Sequence, residues 1–302
     1  MTKTAILFPG QGSQVKGMGK DAAQARPELM DLWKAAEAES GLPLREIYWD
    51  GEEADMADTR ALQPALTVVN LSLWLCRKDS LSPAATAGHS LGEYASLAAA
   101  GVLSIPDTIK AVSVRGRLMA ECGKPDHGRT AILKMERDAV EELVNTAMAE
   151  TGTELRIANY NTPAQFVLSG QRAALDAAAA LVKEYRGRAV PLAVSGAFHS
   201  PLILEAAEEF AGTLNKLGWN APAFPVYFNA TARAEEDPEK IRVTMVSQMT
   251  SSVQWIEIIE NQYDHGVRAW LELGPKAVVG KMVGPILRGR DEIAVDAWTG
   301  CE

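Results

Sequence analysis

The stretch GHSLGEY at residues 88–94 constrains this chain more than any other seven residues in it. Gly88 and Gly92 frame Ser90 in a G-x-S-x-G pattern, the sequence of a sharp strand-to-helix turn with a serine at its apex. Both flanks need glycine because the turn brings neighbouring backbone too close for a side chain. Taken alone the pattern is short, and a Gly-rich turn without chemistry reads the same way. Its surroundings decide: the apolar-small run AATAG before it reads as a buried strand, and EYASLAAA after it as a helix ending at Gly101. Ser90 is therefore a candidate nucleophile.

Elsewhere the chain alternates strands and helices. TAILF is a first strand, residues 19–40 carry helical periodicity, and a second helix runs from Pro64 to Arg77 with proline in its first turn, where the missing N–H has no partner to lose. Between Thr130 and Val194 the rhythm changes. AILKM, RDAVEELVNTAMAE, ELRIAN, QFVLSG, QRAALDAAAALVKEY and RAVPLAV read as β-α-β-β-α-β, the ferredoxin-like order. After Ser195 the α/β pattern resumes with a helix over 201–217, the strand PVYFN, two helices through His265, the strand AWLEL, a helix over 278–287 and a strand near IAV. The expectation is an α/β protein: a parallel-sheet core over 1–127 and 196–302, carrying an inserted ferredoxin-like subdomain over 128–195.

With 302 residues, 47% of them hydrophobic, the chain can bury a substantial core. A net charge of -9 and no basic block exclude nucleic acid and anionic membrane as partners. The uncharged stretch from Ala61 to Cys76 contains Gln63, Pro64 and Asn70 and falls short of the roughly 20 apolar residues of a membrane span. Cys76, Cys122 and Cys301 are widely spaced and odd in number, which fits thiols in a reducing compartment and offers no metal spacing. AILF, halted by Pro9-Gly10, is too short for a secretory segment, so a cytoplasmic protein is expected.

A nucleophilic serine needs a base, and histidine is suited to that near neutrality. Of the four histidines, His89 adjoins Ser90 and diverges from it, His127 in GKPDHGR reads as a solvated loop residue, and His265 sits at a helix end. His199, in SGAFHSPL, stands where the inserted unit returns to the core, at a cleft between two parts. A capped helix start with an incidental histidine is the alternative there. At about 100° per residue, Arg115 shares its helix face with Ala111, Val112, Leu118, Met119 and Cys122, whereas Arg117 lies opposite with Lys110, Ser113 and Glu121. A guanidinium among apolar neighbours needs an anion, either a substrate carboxylate held bidentately or a carboxylate of the chain. FPGQGSQ at 8–14 follows the first strand but lacks the endings of a P-loop or a dinucleotide turn. It fits an oxyanion hole, with the Gln11 and Leu91 backbone amides both near Ser90.

PGQGSQ, GHSLGEY, VRGRLM, GAFHS and SVQW occur in one order over essentially the whole chain, and in this the sequence resembles the malonyl-CoA:acyl carrier protein transacylases. The resemblance implies a hydrolase-like core and two-step acyl transfer without a metal or redox cofactor. It makes Ser90 the acyl-accepting nucleophile, His199 its base and acid, and Gln11 and Leu91 the oxyanion donors. Gln248 becomes the residue whose backbone carbonyl orients His199, in place of a triad aspartate. Arg115 becomes the clamp on the malonyl carboxylate, with Phe198, Met119 and Gln63 lining the acyl group; the Phe198 ring would crowd an α-methyl substituent. Two departures, Arg129-Thr130 where relatives carry a small residue or Met and a missing glycine in LELGPKAVVG, are placed outside the catalytic set.

The implied partners are malonyl-CoA and holo acyl carrier protein, and a monomer is expected. Carrier proteins are usually acidic, so Lys183, Arg186 and Arg188, with Arg288 and Arg290, are the candidate docking cations. A solvated helix face is the other reading of each. Two further readings share the elbow: a serine thioesterase or hydrolase, and a malonyl transferase serving a malonate decarboxylase carrier.

Overall fold

Side-chain alternation in the first strand sets up two separate cores. Ala5 and Leu7 point to one face of β1 (Lys3–Phe8), Ile6 and Phe8 to the other, and all four are fully buried. A strand covered on both faces belongs in the interior of a sheet. The computed structural model, which describes residues 2–193 and 196–301, has it there.

Next come α1 (Lys20–Ala25) and α2 (Pro27–Ser40). The one helix expected over 19–40 is broken because Arg26 takes the extended backbone that Pro27 imposes on its predecessor, φ -133° and ψ 113°. α3 (Thr59–Arg77) begins well before Pro64, since Asp58 caps it by accepting from the Arg60 N–H at 3.0 Å. Pro64 consequently lies inside the helix and not in its first turn. β2 (Pro83–Gly88), α4 (Gly92–Ala99) and α5 (Ile105–Glu121) follow, the last capped by Ser104.

β3 (His127–Leu133), α6 (Arg137–Thr151), β4 (Leu155–Thr162), β5 (Gln165–Gln171), α7 (Arg172–Glu184) and β6 (Arg188–Pro191) form a separate antiparallel sheet in the order β4-β5-β3-β6. Order and connectivity are ferredoxin-like. The last strand stops at Pro191, short of the expected Leu192 and Ala193, while its expected end at Val194 and the expected boundary at Ser195 lie outside the described residues.

α8 (Leu204–Leu214), β7 (Val226–Tyr227), β8 (Ala234–Glu235), α9 (Pro238–Ser247), α10 (Trp255–Asp264), β9 (Val267–Leu273), α11 (Gly280–Ile286) and β10 (Ala294–Trp298) return the chain to the first sheet. That sheet runs β10-β9-β1-β2-β7-β8 and is parallel except for the β7/β8 pair. The molecule is thus the expected α/β fold with a second, smaller sheet.

Ile6 and Phe8 face a core with Trp33, Leu66, Tyr94 and Phe210, while Ala5 and Leu7 share theirs with Phe166 and Leu168 of the small sheet and Trp255 and Trp270. Each large side chain so buried contributes about 1.5–3 kcal/mol. The second core draws on both sheets and holds them together.

Two further expectations fail. Cys76 and Cys301 are disulfide-bonded, tying the end of α3 to the segment after β10, a pairing that spacing cannot reveal. His127 is no solvated loop residue: it opens β3 at 3% exposure. Among the described residues, no helix is long and apolar enough to cross a membrane.

Candidate active site

Ser90 sits between the end of β2 and the start of α4 with φ +51°, a left-handed value uncommon for serine. The flanking glycines make this possible. A Cβ on Gly88 would lie 1.9 Å from the Gly92 carbonyl carbon, and one on Gly92 would lie 2.1 Å from the Phe8 carbonyl oxygen. Asn229, just after β7, braces the turn: its Oδ1 accepts from the Ser90 N–H at 2.6 Å and its Nδ2 donates to the Gly88 carbonyl at 2.7 Å. The Ser90 N–H is therefore occupied. Among the described residues, the N–H groups of Gln11 and Leu91 donate to nothing in the chain.

His199, also at positive φ (60°), lies across from the elbow with Nε2 2.8 Å from Ser90 Oγ. Its Nδ1 is 3.0 Å from the Ser251 carbonyl and 3.2 Å from that of Gln248. Carbonyls only accept, so Nδ1 carries the proton and Nε2 is left to accept the serine's. Burial, then the charges of Arg129 and Arg115, hold His199 well below the ordinary histidine range, which keeps the imidazole neutral, with Nε2 unprotonated. The loop that supplies the carbonyls is clipped to the small sheet. Ser252 Oγ donates to the Ile157 carbonyl (2.7 Å), the Val253 N–H to that of Ala158 (2.8 Å), and the Tyr160 N–H to that of Val253 (3.0 Å).

Arg115, only 1% exposed, reaches the same point from α5. It donates to Gln63 Oε1 (2.8 Å), Gln248 Oε1 (3.1 Å) and Ser90 Oγ (3.3 Å). All three partners are neutral, so the internal ion pair that the sequence left open does not form. Below it Glu93, fully buried, accepts from the Gln248 amide (3.0 Å) and the Asn229 N–H (2.8 Å), while burial pushes its carboxyl up to about 7.

One cavity of about 210 Å³ collects Gln11, Gln63, Ser90, Leu91, Arg115, Met119, Phe198 and His199. Gln248 lies beneath it, and its side chain, unlike its carbonyl, was not anticipated as a link between Arg115, Glu93 and the Ser90 carbonyl. Arg129 corrects the sequence reading, since it lines this cavity and does not stand apart from the catalytic set. Lys183, Arg186, Arg188 and Arg288 are exposed and line no part of it, and Arg290 is paired with Asp264 at 2.9 Å. Of the other histidines, His89 meets Asn161 Oδ1 at 2.8 Å and burial draws it down to about 4, while His265 meets the Tyr227 hydroxyl at 2.8 Å. Sequence reasoning missed Glu93, Asn229 and Ser251; only Glu93 left a signal, as the one charge in an otherwise apolar and small-residue helix.

A serine paired with a neutral histidine, two free amides beside it and a guanidinium in no direct ion pair can together hold and transfer an acyl group that ends in a carboxylate. Comparison with known proteins agrees in kind. Residues 6–300 match the acyl transferase domain family. A malonyl CoA-acyl carrier protein transacylase of Staphylococcus aureus (strain MW2) is 37% identical over 290 residues, 95% of this chain and 94% of its own. The crystal structure of an acyl carrier protein S-malonyltransferase from Vibrio cholerae superposes with a TM-score of 0.91 at 35% identity, covering 98% of this chain and 97% of that one. A type II polyketide-synthase acyl carrier protein in complex with its malonyl-transacylase matches at TM-score 0.90 and 31% identity, covering 98% and 95%.

Proposed function

This chain belongs to the acyl transferase domain family, and we propose that it moves the malonyl group of malonyl-CoA to the phosphopantetheine thiol of an acyl carrier protein through a malonyl ester on Ser90. The transfer supplies fatty-acid or polyketide synthesis. One observation carries the mechanism: Ser90 Oγ lies 2.8 Å from the base and 3.3 Å from a guanidinium whose other hydrogen-bond partners are neutral amides.

His199 Nε2 takes the serine proton as Oγ attacks the thioester carbonyl. The Gln11 and Leu91 N–H groups receive the charge that develops on the carbonyl oxygen. Collapse breaks the C–S bond, and His199 returns its proton to the departing CoA thiolate. In the second half the carrier's thiol gives its proton to His199 and attacks the ester, and Ser90 leaves with the proton restored. Arg115 exchanges its neutral partners for the malonyl carboxylate, which Gln63, Met119 and Phe198 surround. Lys183, Arg186, Arg188 and Arg288 are the cations offered to an acidic carrier.

Intact-protein mass after mixing with malonyl-CoA alone tests this. A malonyl adduct is expected on the wild type, absent in Ser90→Ala and discharged by holo acyl carrier protein. Steady CoA release without adduct would make the chain a hydrolase, and an adduct that only a malonate decarboxylase carrier discharges would reassign the acceptor.

A further inference from the structure

Arg129 enters the cavity from β3 of the small sheet, facing the core residues that hold Ser90 and Arg115. Its Nη2 donates to Asn159 Oδ1, its Nε is buried without a partner, and its guanidinium carbon lies 6.0 Å from the centre of the Phe198 ring. The one side-chain hydrogen bond it makes within the described residues is thus to a neutral amide. Burial and the nearby Arg115 draw it down to about 10, which leaves it cationic at neutral pH. The cavity therefore carries two guanidinium groups, and a malonyl thioester brings one carboxylate.

The wall around Arg129 indicates what it meets. Asn159, Asn161, Gln165, Val167 and Leu192 line the same cavity from the small sheet and the segment after it, a surface of amides and apolar carbons. Such a wall suits a chain of amide and methylene groups better than a second carboxylate. A thioester carries such a chain on the side of the sulfur away from the acyl group.

We propose that Arg129 is a substrate-binding residue that donates to an amide carbonyl of the pantetheine arm, with Asn159 holding its guanidinium in position. The inference rests on the transferase reading above and adds a consequence that Arg115 does not share. Malonyl-CoA and the holo carrier present the same arm, so Arg129 serves both half-reactions, whereas Arg115 acts on the malonyl group alone.

Arg129→Met removes the donors at similar length, and Arg129→Lys keeps the charge without the fork. Loss of a charge-assisted hydrogen bond predicts about a tenfold or greater rise in KM. In Arg129→Met the rise is expected for malonyl-CoA and for the holo carrier together and by a similar factor, with the malonyl-to-acetyl ratio unchanged. Arg129→Lys is expected to raise both by less, and it carries the test if the melting curve shows the methionine variant unfolded. Unchanged KM values, or a rise confined to the CoA donor, would overturn the proposal. A wild type that forms no malonyl adduct would instead overturn the transferase reading, so the two failures are distinguishable.

Discussion

Arg115 is a cation in a socket of neutral amides, and its energetics follow from that. Gln63 and Gln248 hold the guanidinium without neutralising it, so a carboxylate gains the full charge-assisted interaction on arrival. Arg115→Ala is expected to lower kcat/KM for malonyl-CoA by about a hundredfold or more while acetyl transfer is kept or raised. Steady-state kinetics with both donors decides it, and equal loss on the two would remove the clamp. Arg115 was legible in the sequence because helical periodicity puts it on an apolar face, and Ser90 because two glycines bracket it. Ser251 was not, since it contributes a backbone carbonyl that any residue could supply. Arg129 was visible as an unusual residue, but only the packing of two sheets reveals which strand face lines the cavity.

At the scale of elements, the elbow is where local sequence and tertiary contact agree. The turn works because α4 starts against the carbonyl of Phe8 in β1, with no room for a methyl group between them. Gly92→Ala is expected to cost about 3 kcal/mol, read as a lower urea midpoint, together with loss of transfer. Gly212 in α8 is the control. No atom lies within 4 Å of its added Cβ, so Gly212→Ala should stabilise by about 0.5–1 kcal/mol. A midpoint unchanged in Gly92→Ala would mean the elbow relaxes freely. The βαββαβ order could be read because each segment is short, periodic and bounded by turn residues. Helix starts were harder to read: Asp58 extends α3 past a proline, and Arg26 stops α1 where apolar spacing continues.

For the molecule as a whole, a net charge of -9 means that an acidic carrier must be met by local cations against the overall field. The disulfide acts at this scale too. It ties Cys301 to α3 beside β10, an edge strand whose Ala294, Val295 and Asp296 are exposed. Reduction is expected to release that segment locally, with faster proteolytic cleavage after residue 293 in dithiothreitol and a transfer rate within about twofold. Loss of transfer on reduction would show that β10 supports the cavity. The loop carrying the Gln248 and Ser251 carbonyls hangs from β4 by Ser252 and Val253 while steadying a histidine opposite the core. It belongs to both parts at once. A chimaera that exchanged residues 127–191 for a foreign sheet would retain Ser90, His199 and Arg115 yet lose the strut that fixes the imidazole. The piece that can be grafted whole is the small sheet together with residues 248–254.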